Sequence, residues 1–133
     1  MALILTEEAF TRPLLFLYNL IGDDMKNELT CVYKDPLSFS VHHIVDEKEY
    51  VLNEGEKYRI KISRSLRNDA DDDLMRVFDS ASKQFNVETN LLPGKYYFQI
   101  SLVNASGTKD TVISPATDAD GIRLNTLIIT ERL

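Results

Sequence analysis

Apolar and polar residues alternate with a period of two in several short runs of this chain, the spacing of a strand with one face on a core and the other in water. In "KYRIKIS", residues 57 to 63, Tyr58, Ile60 and Ile62 fall on one side, and Lys57, Arg59, Lys61 and Ser63 on the other. In "GKYYFQISLV", residues 94 to 103, Tyr96, Phe98, Ile100 and Leu102 are expected inward and Lys95, Tyr97, Gln99 and Ser101 outward, with Pro93-Gly94 supplying the turn before the strand. "SFSVHHIV" (38 to 45) collects Phe39, Val41, His43 and Val45 on one face, and "KQFNVET" (83 to 89) collects Phe85, Val87 and Thr89. "DTVIS" (110 to 114) and "LNTLIIT" (124 to 130) are β-rich with weaker alternation. They suit strands covered on both sides or an edge that pairs with a neighbour, and the last is expected to close the sheet.

Turn formers fill the intervals: "NEGE" at 53 to 56, "RNDADDD" at 67 to 73, "NASG" at 104 to 107 and "ATDADG" at 116 to 121. Short strands at this spacing favour a sandwich or barrel, and the stretch 91 to 113 reads as its closing hairpin. One segment departs from the pattern. "DDDLMRVFDSASKQF" has an acidic opening followed by Leu74, Met75, Val77 and Phe78, which predicts a short helix in a loop crossing between sheets. "LLFLYNLI" near the start is apolar on both faces, so residues 1 to 36 are read either as part of the core or as an N-terminal extension that docks onto a neighbour.

Length and charge narrow the partners. The 133 residues suit one domain, 1 to 133, able to bury a core without disulfide or metal support. With 21 acidic against 15 scattered basic residues and a net charge of −6, the chain would repel a phosphate backbone, so nucleic acid is not an expected partner. Cys31 is the only cysteine, which excludes an internal disulfide and a cysteine-based zinc site; it is read as a small buried hydrophobe, with a free surface thiol as the alternative. Glu7, Glu8, Arg12 and Pro13 interrupt the opening apolar stretch, and Leu14 to Ile21 is too short to span a bilayer, so no membrane partner is expected.

Candidate chemistry is sparse. Asp69, Asp71 and Asp73 alternate like the carboxylates of a calcium loop, but Leu74 stands where that loop needs glycine and Ser80 where it needs a bidentate glutamate, so a solvated acidic loop is expected. Asp118 and Asp120 before Gly121 read as a turn. His42 and His43 would point to opposite faces of a strand and cannot share one metal. "NAS" at 104 to 106 matches a glycosylation sequon by chance in a chain with no expected secretion signal. Tyr97, on the polar face of its strand, could stack on a sugar or cover a neighbouring strand. No catalytic, cofactor or metal residues are assigned, and no enzyme is expected.

The order "LNEGEKYRIKIS", then "KQFNVETNLLPGKYYFQISLVNASGTKDTVISP", then "LNTLIIT", resembles the immunoglobulin-like domain at the N-terminus of phage baseplate upper proteins and related tail-attached modules. Leu92, Pro93, Gly94, Tyr96, Phe98 and Ile100 carry most of the likeness. The resemblance implies an all-β, immunoglobulin-like antiparallel β-sandwich in a virion structural protein of baseplate, tail, neck or head. Such a protein would be made in the host cytoplasm, form homo-oligomers and bind other virion proteins. The alternative is a carbohydrate-binding or adhesion module making weak sugar contacts through exposed aromatics.

Overall fold

The computed structural model describes residues 2–7, 13–18, 27–64, 74–116, 120 and 124–132. These form eleven strands: β1 (Ala2–Glu7), β2 (Pro13–Tyr18), β3 (Asn27–Val32), β4 (Leu37–Val45), β5 (Lys48–Glu49), β6 (Lys57–Ser63), β7 (Leu74–Ser80), β8 (Gln84–Val87), β9 (Gly94–Val103), β10 (Asp110–Ser114) and β11 (Asn125–Thr130). One sheet has the order β1-β2-β4-β5, with β8 also on β4, and the other the order β3-β11-β9-β6-β7, with β10 also on β9.

Strand length explains the branch points. β9 runs ten residues, so it holds two partners along one edge: Gly94 to Tyr97 pair with β11, and Ile100 to Val103 with β10. Its other edge pairs with β6 from Tyr97 to Val103. The chain therefore leaves the ladder after Ser114 and rejoins it at Asn125. On β4, β8 pairs with Leu37 to Ser40 and β5 with Ile44 and Val45, both on the edge opposite β2, which itself pairs with Ser40 and Ile44.

Alternation builds the core. Leu37, Phe39, Val41 and His43 of β4 face Tyr58, Ile60 and Ile62 of β6 and Tyr96, Phe98 and Ile100 of β9, all buried. Leu29 of β3, Phe85 of β8, and Leu127 and Ile129 of β11 complete the same cluster, so the two sheets share one interior. Burying each large apolar side chain contributes about 1.5 to 3 kcal/mol relative to leaving it exposed.

Three expectations need correction. The predicted helix is strand β7, paired antiparallel with β6 from Leu74 to Ser80. Period two wins there because β6 offers an open edge and Phe78, opposite Ile60, reaches the core. Among the described residues there is no helix. The pairing is also not all antiparallel: β2 runs parallel to β4, and β3 parallel to β11. Neither pair is joined by a hairpin, so nothing in the connections forces the opposite sense. Last, β11 does not close its sheet, since β3 lies outside it.

The turn at Gly55 carries a prediction. Glu56 N donates to Asn53 O at 3.0 Å, Gly55 has φ +86, and a Cβ there would stand 2.9 Å from Ala105 Cβ in the β9–β10 loop. Gly55→Ala combines left-handed strain with overpacking and should cost about 1 to 3 kcal/mol. It would appear as a lower urea midpoint with an unchanged slope.

Candidate functional site

The strongest arrangement of charged side chains lies on the outer face of the larger sheet. The alternation that buries Tyr58, Ile60 and Ile62 puts Lys57, Arg59 and Lys61 outside, and register brings two carboxylates to them. Asp79 is directly opposite Arg59 on β7, and Asp110 begins β10 opposite Val103. Arg59 donates through Nε and Nη2 to the two oxygens of Asp79 at 2.7 and 3.0 Å, and through Nη1 to Asp110 at 3.3 Å. Lys57 lies 3.4 Å from Asp79 and Lys61 lies 3.1 Å from Asp110. The result is a ladder of three cations bridged by two carboxylates.

The ladder shifts its own titration. The Arg59 guanidinium holds the Asp79 carboxyl below the usual carboxylate range, against the opposing effect of burial. At Asp110 burial pushes upward, but Ser101, Lys61 and Arg59 together outweigh it and the carboxyl is lowered. Both groups therefore have depressed folded pKa values, so their stabilisation is present above the unfolded carboxyl pKa and is lost as pH falls through the folded value. Asp79→Asn should cost about 1 kcal/mol near neutrality, because the pair is partly exposed, and the difference from wild type should shrink at high salt and at acid pH. Urea melts at two pH values and two salt concentrations measure it.

This face is not wholly polar. Ser101 and Val103 lie fully buried at its middle, while Val77 and Val112, on the strands to either side, are 41% and 46% exposed. Tyr97, on the outward parity of its strand, is only 8% exposed, which agrees with the reading that it is covered and removes it as a platform for a sugar ring. Ser101 is likewise buried despite its outward parity. Parity assigns the face of a residue but not whether long neighbours cover that face.

A second cluster lies between the sheets. His43 is 3% exposed, with Nδ1 3.1 Å from the Tyr58 hydroxyl and Nε2 buried without a hydrogen-bond partner. Burial, then Lys83, push its pKa down to about 4, with Glu56 opposing, so the ring is neutral at pH 7. The Tyr58 hydroxyl is pushed up by burial and by Tyr50, Glu56 and Glu49. His42 points the other way and meets Glu49 at 2.9 Å, which Lys83 also holds at 3.0 Å. The two histidines thus part as alternation predicts, and Lys83 and Glu49 are the neighbours that sequence did not supply.

A third feature is a cleft of about 190 Å³ beside β3 and β11, lined by Cys31, Asp35, Thr89, Asn90 and Ile129 among others. Burial and the Asp35 carboxylate raise the Cys31 pKa, so its thiol is a poor nucleophile. Asp35 is paired with Arg132, and Arg76 Nε donates to Thr89 O at 2.9 Å, fixing the rim.

The acidic run Asp69, Asp71 and Asp73 and the residue Asp118 lie outside the described residues. Asp120 is exposed in a turn. Among the described residues no three of His, Cys, Asp and Glu gather where they could hold a metal. Asn104 of the sequon closes its own hairpin, accepting from Lys109 N at 3.0 Å and donating to Thr108 Oγ1 at 3.1 Å. Asp79 and Asp110 went unassigned in the sequence because one sat in the expected helix and the other at a strand start. Their signal is a basic row on a central strand that needs acids on its neighbours, legible only once the order of strands is known.

No family model matches this chain, and no curated protein or solved structure matches it.

Proposed function

We propose that this chain is an immunoglobulin-like sandwich acting as a virion structural module, a homo-oligomer docked to other virion proteins and working by surface burial without turnover. The strand order supports the fold: β6, β9 and β11 take the places of strands C, F and G, β4 and β8 those of B and E, and β7 adds to the sheet as in variable-type domains. The observation that carries assembly is the outer face of that sheet. The cations of β6 are engaged by Asp79 and Asp110, while Val77 and Val112 leave apolar area at either side. Arginine is enriched at protein interfaces, and cations already paired within the sheet carry their satisfied charge into a contact. The carbohydrate-binding alternative draws on exposed aromatics such as Tyr97, whose burial weakens it, and on a cation held by the acidic run 69 to 73, which lies outside the described residues.

The test is peptide mass spectrometry on gradient-purified virus particles from the source material, with lysine cross-linking. The chain is expected at a fixed copy ratio, with cross-links from Lys57 or Lys61 to a neighbouring virion protein. Val77→Asp with Val112→Asp should abolish incorporation while leaving the melting temperature within a few degrees, since exposed positions seldom change stability by more than about 0.5 kcal/mol. Absence from particles in which the other structural proteins are well detected would overturn the proposal.

A further inference from the structure

The segment that links β4 to β6 is stapled by its own side chains and fastened to the rest mainly near the surface. It opens at Asp46 and Glu47, both left-handed (φ 52 and 65), in the two-residue turn that such a hairpin requires. After β5, the Tyr50 hydroxyl donates to both oxygens of Glu56 at 2.7 and 3.0 Å, Asn53 N donates to Glu56 Oε1 at 2.7 Å, and Asn53 Nδ2 donates to Tyr50 at 3.3 Å. These bonds make one stapled unit. Its ties to the rest are the two-residue ladder of β5 on β4, the Glu49 contacts to His42 and Lys83 at the surface, the bond from Tyr50 N to His43 O at 2.7 Å, the packing of Leu52 on the core, and the approach of Gly55 to Ala105. Val51, by contrast, is 76% exposed. A segment with few buried contacts, whose ties to its neighbours are mostly solvent-accessible, opens before the core does.

Beneath it sits the one buried imidazole. The His43 ring lies 5.0 Å from the Tyr50 ring above it and 5.9 Å, edge-on, from the Tyr58 ring below. An imidazolium is a donor at both nitrogens. Nδ1–H could donate to Tyr58, but Nε2–H would be left buried with nothing to accept it, at the cost of an unpaired charge-bearing donor. The groups that face the ring do not compensate. Glu56 is committed to Asn53 and Tyr50, Glu49 to His42 and Lys83, Tyr58 from β6 carries no charge, and Lys83 from the β7–β8 turn repels a cation.

We propose that residues 46 to 56 form a flap that protonation of His43 releases, opening this end of the sandwich and exposing His43 and Tyr58. Displacing Tyr50, whose ring lies 5.0 Å from the imidazole, uncovers that ring to water. The closed state favours the neutral ring, with a pKa near 4 against an ordinary 6.5, so the open state binds more protons between those values and gains as pH falls through them. This device is independent of which partner occupies the outer face.

Amide hydrogen exchange on the full chain, corrected for intrinsic rates, tests it together with an NMR titration of the histidine rings. Protection at residues 48 to 56 should fall roughly 50-fold between pH 7 and pH 4.5, while β6 and β9 stay protected. His43 should titrate well below an ordinary imidazole, with the Tyr50 and Leu52 resonances following the His43 midpoint. In His43→Phe, which cannot be protonated, the pH-dependent loss should vanish. Wild-type data decide the matter should that variant fail to fold. His43 titrating near 6.5 with the flap closed, equal loss in His43→Phe, or loss of flap and core protection together would each overturn the proposal.

Discussion

Phe85→Ala is expected to be among the most destabilising single truncations in this chain, at about 3 to 5 kcal/mol. Strand β8 is only four residues long, with exposed residues on either side of Phe85, so this ring is its one fully buried anchor. It stands directly across from Phe39 on β4 with ring centroids 4.8 Å apart and planes 10° from parallel. Truncation removes the transfer free energy of a ring, leaves a cavity against Phe39, and deletes a stacked pair worth about 0.5 to 1.5 kcal/mol beyond area. Urea unfolding should give the loss, and a thermal scan a fall in melting temperature of roughly 10 to 20 °C for a domain of this size. Phe85→Leu keeps most of the volume and should cost about 1 to 1.5 kcal/mol. A cost below 1 kcal/mol for Phe85→Ala would mean that β8 is not anchored through this side chain.

Much of the core was legible because it depends on parity alone. Tyr58, Ile60 and Ile62, Phe39, Val41 and His43, and Tyr96, Phe98 and Ile100 are buried as alternation predicts. Parity is local, and each strand reports its own inward face whatever its neighbours are. The β9–β10 hairpin was also legible from its turn, whereas the inferences that failed needed to know a more distant neighbour. "LMRVF" is too short to separate a helix period from a strand period, and only the open edge of β6 decides between them. Tyr97 and Ser101 have outward parity but lie under covered surface. The parallel pairing of β3 with β11 joins segments from opposite ends of the sequence and leaves no local trace.

The candidate sites divide in the same way. The separation of His42 from His43 follows from one strand, and it was readable. The ladder on Lys57, Arg59 and Lys61 was half readable: the basic row shows in one strand, while its acids come from β7 and β10. The tie between His43 and Tyr58 joins strands of different sheets and required the packing itself. Chemistry assembled between strands distant in sequence is therefore the part that periodicity leaves open, and in this chain the proposed interface and the proposed flap both belong to it.

Asn125 should be the most costly polar position. It opens β11 and is fully buried, where a strand pattern would ordinarily place an apolar residue. Its Nδ2 donates to Ser114 Oγ at 2.8 Å, Pro115 O at 3.0 Å and Ser114 O at 3.4 Å, and its Oδ1 accepts from Asn27 Nδ2 at 3.3 Å. One amide thus binds the point where the chain leaves the ladder after β10 to the first residue of β3, on the far side of β11. Asn125→Ala removes all of these bonds at once and leaves buried acceptors without their donor, a cost of about 2 to 4 kcal/mol. Asn125→Asp should be worse at pH 7, since a carboxylate would face three oxygen acceptors in a desolvated site. The buried carboxyl would have a raised folded pKa, so the variant should recover stability relative to Asn125→Ala as pH falls and the acid regains an O–H to donate. Urea melts of the two variants across pH 4 to 7 measure this. If Asn125→Asp matched Asn125→Ala at every pH, the side chain would not be donating to Ser114 and Pro115, and the junction between β10 and β11 would be held by its backbone bonds alone.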